Sequence, residues 1–409
     1  MMSIHVIEHK FDFSPIKTRM QSYIDKGLLS CVSTVILKGT DVLDVQHLGF
    51  QDVEAASVLP EDAIFRIYSN TKIVTSVALM QLYEGGHFRL EDPLEQYLPE
   101  FADMQVLNAA ATHAEDCKIA EQKILIKHIL SHSAGFSYGH FEPDSVIDKL
   151  YTEQGIGTLI NAGGGDLEEL CKRVAALPLA YEPGSFWRYS VATDICARLV
   201  EVLSGQKFDE YLKARIFRPL QMVDTDFWVP EDKVHRFTTL YAPTNLMEPM
   251  NTELVKSDDA IGGSFNKPTQ FLSGGGGLVS TVADYLNFIR MIINGGQWFG
   301  QRIIRAETLE LMRSNQLVEG VGVNFMGWQM PGTVFGLGFA LKAQLIEADP
   351  PGSQDEYHWG GIAGTHSWMA SHSGISGLCF TQRMPGFLHP FSFEFKAMVY
   401  EAMSGSSQG

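Results

Sequence analysis

The sequence predicts a mixed α+β fold: a mainly antiparallel sheet flanked by helices, with an inserted, mainly helical lobe. Three observations carry this. β-rich runs sit near both ends of the chain, between residues 31 and 45 and again between 335 and 382. From about 100 to 270, helical periodicity alternates with Gly/Pro-rich loops and strand signals are few. The run Ser273-Gly-Gly-Gly-Gly277 and the capping box Thr281-x-x-Asp284 then mark a boundary. We therefore expect residues 1–100 and 271–409 to build a sheet-and-helix lobe, and residues 101–270 the helical lobe between its halves.

Taken in order, Ser14-Pro15 opens a helix, with Ser suited to the cap and Pro to the first turn. Cys31 to Leu37 and Val42 to Val45 read as strands, and Lys38-Gly-Thr-Asp41 between them makes a hairpin. Ile73, Val74, Val77, Ala78 and Leu82 fall at helical spacing, and Gly85-Gly86 ends that helix. Further helices are expected over Ile124 to Leu130, Leu167 to Leu177, Ala192 to Leu203, Phe208 to Ile216, and from the capping box to about Asn294. Strand-like runs return at Phe335 to Leu341, His358 to Ile362, Ser367 to Ser371 and Leu378 to Gln382. A helix from Phe391 to Met403 follows, then a frayed Ser/Gly tail from Ser404.

The composition excludes several function classes. With 31 Lys+Arg against 48 Asp+Glu the net charge is −17, which repels phosphate backbones and anionic bilayers, so no nucleic-acid partner is expected. No stretch offers the ~18 apolar residues of a membrane span, and residues 1–30 contain no signal-type apolar segment. Five dispersed cysteines, Cys31, Cys117, Cys171, Cys196 and Cys379, contain no Cys-x-x-Cys pair and read as reduced, cytoplasmic thiols. No His-Glu-x-x-His pattern exists, so no metal is expected. Oligomeric state is left open.

Hydrolysis through an acyl intermediate needs an activated hydroxyl, and a lysine one helical turn away can act as its base if burial lowers its pKa. Ser-x-x-Lys occurs four times, at Ser14, Ser69, Ser204 and Ser264. Ser14 is explained as a cap, Ser204 lies at a helix end beside Gly205, and Lys267 precedes Pro268. Only Ser69, with Lys72, opens a long apolar helix; the plain alternative is that Ser69 is an ordinary N-cap.

Phe65-Arg-Ile-Tyr-Ser69-Asn-Thr-Lys72, then Glu182-Pro-Gly-Ser-Phe-Trp-Arg-Tyr189-Ser190, then His358-Trp359-Gly360-Gly361, resemble in order the β-lactamase-related serine esterases, often called family VIII carboxylesterases. These are similar to class C β-lactamases and DD-peptidases. Ile129-Leu-Ser-His-Ser-Ala-Gly135 and the glycine run at 274–277 support the likeness. The resemblance implies Ser69 as nucleophile, Lys72 and Tyr189 as its proton-transfer partners, and the backbone N–H groups of Ser69 and Ile362 as the oxyanion hole. It also implies that Trp359, Gly360 and Gly361 line the substrate site. A phenol beside an ammonium is expected to have a lowered pKa. From composition alone, Tyr189 could be an aromatic core residue and Trp-Gly-Gly an edge or bulge.

Two departures bear on substrate. Trp359-Gly360 stands where lactamases carry Lys-Thr/Ser to grip a carboxylate, and Val191 replaces the asparagine that holds a side-chain amide. The expectation is a carboxylesterase for small neutral esters that needs no cofactor, with acyl transfer or weak lactam hydrolysis as alternatives at the same site. Two rivals remain. Gly135-Phe-Ser137-Tyr-Gly139 fits the nucleophile elbow of α/β-hydrolases, although regular β-α alternation does not follow it. The other is a non-catalytic binding protein of the same fold.

Overall fold

The computed structural model describes residues 4–157, 164–248, 250, 252–325 and 328–404. The tail expected beyond Ser404 lies outside them. The main sheet has eight strands: β1 Cys31–Lys38, β2 Asp41–Asp52, β3 Ser57–Val58, β4 Thr333–Phe335, β5 Ala340–Lys342, β6 Glu356–Gly361, β7 Thr365–Ala370 and β8 Ile375–Phe380. Their spatial order is β4-β5-β6-β7-β8-β1-β2-β3, and every pairing is antiparallel. Strands from the two ends of the chain thus share one sheet: Val35 of β1 faces Val45 on one side and Leu378 on the other.

Helices cover both faces, which is why β1 reads as a continuous apolar run and is buried along all but its last residue. Against one face, α1 (Ser14–Asp25) and the C-terminal helix Phe391–Ser404 pack Ile16, Met20, Phe395 and Val399 onto Val32, Ile36 and Trp368. Against the other lies α2 (Thr71–Glu84), with eleven of its fourteen residues buried. A helix apolar all round belongs inside the molecule, and here it is sandwiched between the sheet and α3 (Ala192–Ser204). Gly86, at φ +73°, stops α2 in the left-handed conformation. Thr281 caps α4 (Val282–Ile293), its side chain accepting the Asp284 N–H at 3.1 Å.

Three local expectations change. Ser14 is the first residue of α1 and caps nothing with its side chain; the cap position falls to Phe13. Phe335 to Leu341 is not one strand but a tight turn between β4 and β5, closed by Gly336 N–H donating to Phe339 O at 2.8 Å. Its apolar continuity misleads because Leu337 and Phe339 are buried in the core while Gly338, at φ +98°, makes the reversal. The middle of the chain also holds two short antiparallel pairs, Gln105–Leu107 with Cys117–Ile119 and Leu240–Pro243 with Leu254–Asp258.

Two features of this frame place the site. β5 pairs with β6 only at Ala340–His358 and Leu341–Tyr357, so among the described residues β6 is an open edge from Trp359 onward. A separate pair, Ile64–Arg66 with Val279–Thr281, ties the approach to Ser69 to the glycine-rich segment.

Candidate active site

Ser69 sits in a 3-10 turn, Tyr68–Asn70, that runs directly into α2. Tyr68 takes φ +41°, an uncommon value for a bulky residue and a form of backbone strain held by its burial. The turn is fastened from three directions. Asn70 Nδ2 donates to Thr365 O at 3.1 Å, Ser367 Oγ donates to Asn70 Oδ1 at 3.1 Å, and Thr71 Oγ1 accepts the Leu278 N–H at 3.2 Å. No side-chain cap bond is made by Ser69, so the capping alternative fails.

One turn on, Lys72 is buried and points back along α2. Its Nζ donates to Ser69 Oγ at 3.3 Å, to Tyr138 OH at 2.9 Å and to Gly275 O at 2.5 Å. Burial pushes its pKa down to about 7, against the opposing pull of the Asp194 carboxylate. Tyr189 OH donates to Ser69 Oγ at 2.7 Å, and the Trp359 indole N–H donates to Tyr189 OH at 3.2 Å. Burial raises the Tyr189 pKa, although its bonds to Ser69 and Trp359 oppose this. The expected lowering is therefore overturned: desolvation of a phenolate outweighs its neighbours, and Tyr189 holds its proton.

Tyr189 is carried by a loop laid on residues 132–138. Arg188 N–H donates to His132 O at 2.9 Å and Val191 N–H to Ser137 O at 3.2 Å. His132, in van der Waals range of the Tyr189 ring, is kept neutral by burial, so no second cation sits beside Lys72 from that side.

A cleft of about 850 Å³, counting its open mouth, is lined by Ser69, Tyr138, Tyr189, Trp359, Gly360, Gly361 and Ile362 together with Phe141, Met330, His358, His366, Phe387 and Phe393. No Asp, Glu, Lys or Arg is among its described lining residues. Burial also lowers the pKa of His358 and His366, leaving both imidazoles neutral. Gly361 is required where it stands: a Cβ there would lie 2.3 Å from Ile67 O, so only glycine lets β6 approach the Ser69 turn this closely.

All the site residues expected from the sequence, Ser69, Lys72, Tyr189, Trp359, Gly360, Gly361 and Ile362, thus border one cleft or touch a residue that does. Val191, at the N-cap of α3, presents no amide-binding group. Ser137 is excluded from nucleophilic work by its surroundings: it is 1% exposed, donates to Asp148, and accepts from Arg188 Nε at 2.9 Å. A loop follows it instead of the helix that an elbow needs. Tyr138, Asp194 and Gly275 are the residues sequence reasoning missed. Tyr138 was inside the Gly135–Gly139 motif, beside the serine that drew attention; Gly275 was in the glycine run; Asp194 had no local signal.

The chain is similar to known proteins over most of its length. The beta-lactamase family model matches residues 16–395. Protein Rv1367c of Mycobacterium tuberculosis is 32% identical over 349 residues, covering 85% of this chain and 82% of its own. Esterase EstB of Burkholderia gladioli is 28% identical over 95% of this chain and 96% of its own. Among solved structures, EstCE1, described as a hydrolase with promiscuous acyltransferase activity, superposes with a TM-score of 0.78 at 23% identity, covering 95% of this chain and 97% of its own. A match over nearly the whole length, on a fold and a Ser-x-x-Lys helix of this kind, means that the chain belongs to the beta-lactamase family.

Proposed function

We propose that this protein is a serine carboxylesterase of the family VIII type, acting on small neutral esters through an acyl-enzyme on Ser69. The observation that carries the reading is Ser69 Oγ, bonded at once to Lys72 Nζ and Tyr189 OH inside a cleft whose described walls bear no charge. Lys72, half neutral near pH 7, takes the serine proton as Oγ attacks the carbonyl carbon. The oxyanion is received by the backbone N–H groups of Ser69 and Ile362. Tyr189, whose proton is retained, protonates the departing alkoxide, and the proton held by Lys72 makes good that loss. Water then repeats the sequence on the acyl-serine. No cofactor enters any step.

Trp359, Gly360 and Gly361 form the wall along which the substrate lies, and an indole in place of a cation removes the grip on a carboxylate. The name of the EstB relative supports ester hydrolysis, and the description of EstCE1 favours a second outcome at the same serine, transfer of the acyl group to an alcohol. We further propose the two-lobe division at residues 1–100 with 271–409 and 101–270. A cytoplasmic setting fits the five free cysteines, four of them buried; no described helix is long and apolar enough to cross a membrane.

The test is fluorophosphonate labelling with peptide mapping, beside turnover of p-nitrophenyl butyrate and nitrocefin. An adduct on Ser69, lost in Ser69→Ala, and butyrate turnover far above nitrocefin turnover are expected. An adduct on Ser137, or the reverse substrate ranking, would overturn the assignment.

A further inference from the structure

The polar partners of Lys72 do not end at the groups it touches. Gly275 O, its shortest contact, belongs to a glycine whose own N–H donates to Asp194 Oδ1 at 3.0 Å. The same carboxylate oxygen accepts Ser273 Oγ at 2.6 Å. Asp194 lies in the first turn of α3, is 3% exposed, and has no cation bonded to it among the described residues. A buried carboxylate is costly unless something is gained from its charge. The space is also reserved: a Cβ on Gly275 would lie 2.7 Å from Asp194 Oδ2 and 2.8 Å from Tyr138 OH.

We propose that Asp194 is a positioning residue of this site, which holds the Gly275 carbonyl against Lys72 and faces the amine with a negative charge. The inference rests on the assignment of Lys72 as the base of Ser69. Two consequences of the geometry support it. First, the residue whose carbonyl accepts from Nζ is anchored through its own N–H to the Asp194 carboxylate, and Ser273 Oγ donates to the same carboxylate oxygen. Second, the groups that face Lys72 are otherwise uncharged. Tyr138 and Tyr189 keep their protons, and His132 and His140, on the loop packed over the amine, are held neutral by burial. The glycine segment 274–277 contributes only backbone. Burial raises the Asp194 pKa while Lys72, the Ser273 hydroxyl and the Gly275 N–H favour its charged form, and that charge is what opposes the desolvation of Lys72. An asparagine there preserves the shape and the acceptor but removes the charge.

The experiment compares pH profiles of kcat/KM for p-nitrophenyl butyrate in wild type, Asp194→Asn and Ser273→Ala, with Ser69→Ala as reference. Asp194→Asn is expected to move the acidic limb down by about one pH unit, so that at pH 6 it retains about fivefold more of its own plateau than wild type. Ser273→Ala keeps the charge and loosens the anchor; its limb should stay in place while kcat falls severalfold with KM within about twofold. An Asp194→Asn limb that stays in place or moves upward overturns the proposal. Should Asp194→Asn not fold, an unchanged kcat in Ser273→Ala overturns it and a selective fall in kcat supports it. If Ser69→Ala keeps full activity, the nucleophile assignment fails instead, which separates the two ideas.

Discussion

With Lys72 as the proposed base, its titration should set the pH range in which this enzyme works. An ordinary lysine, at 10.5, would be almost wholly protonated at neutral pH, whereas burial brings Lys72 to about 7. That difference corresponds to about 5 kcal/mol between the charged and neutral forms of the buried amine. The neutral fraction of a group titrating near 7 is about one tenth at pH 6 and about nine tenths at pH 8. With the neutral amine as the proposed base, kcat/KM for p-nitrophenyl butyrate should rise about tenfold between those values and level off above. Stability follows with a defined sign. Between about 7 and 10.5 the unfolded chain keeps a proton that the folded chain has released, so Lys72 makes the fold more stable as pH rises through that window and penalises it below. Lys72→Met should abolish turnover and flatten this slope in denaturant titrations at pH 6.5, 8 and 9.5. A pH–rate profile flat from pH 5.5 to 9, or an acidic limb near 10, would refute the reasoning.

Other perturbations separate the remaining parts. Tyr189→Phe removes the donor at 2.7 Å from Ser69 Oγ and should lower kcat by about 10²–10³-fold with little change in KM, measured by steady-state kinetics. Trp359→Phe keeps an aromatic wall but loses the indole bond to Tyr189; a fall of about tenfold in kcat/KM is expected. Ser137→Ala should leave ester turnover within about twofold while lowering stability by about 1–3 kcal/mol, because Asp148 and Arg188 lose a buried partner. Gly361→Ala forces β6 away from Ile67 O and should cost most of the activity together with several degrees of melting temperature.

The parts of the site that were legible in the sequence are those whose chemistry is written in consecutive residues. Ser69 and Lys72 are one helical turn apart, which puts them on one face, and the long apolar helix they open separates this pair from the other three Ser-x-x-Lys matches; Trp359-Gly360-Gly361 took its meaning from the family resemblance, since the residues alone also fit an edge or bulge. Tyr189 needed the family resemblance, because nothing local separates it from a core aromatic such as Trp187. Asp194 and Tyr138 reach Lys72 only through the packing of α3 and the 132–140 loop on α2, information that no short motif holds. The pKa of Tyr189 was misjudged for a related reason: a neighbouring ammonium can be guessed from a pattern, but the degree of burial that overrides it depends on the whole cleft. The turn inside Phe335 to Leu341 escaped notice because its two apolar residues serve the core as a strand's would.

The position of β1 in the middle of the sheet has a bearing on how the molecule is made. Its two neighbours are β2, a few residues away, and β8, more than three hundred residues later in the chain. Synthesis therefore leaves a long apolar segment exposed along one edge until nearly the last strand has emerged. A ribosome-bound chain ending before Ile375 should hold the Ser69 helix yet lack the strand that joins the two halves of the sheet beneath it, so esterase activity should switch on late and abruptly as nascent chains lengthen.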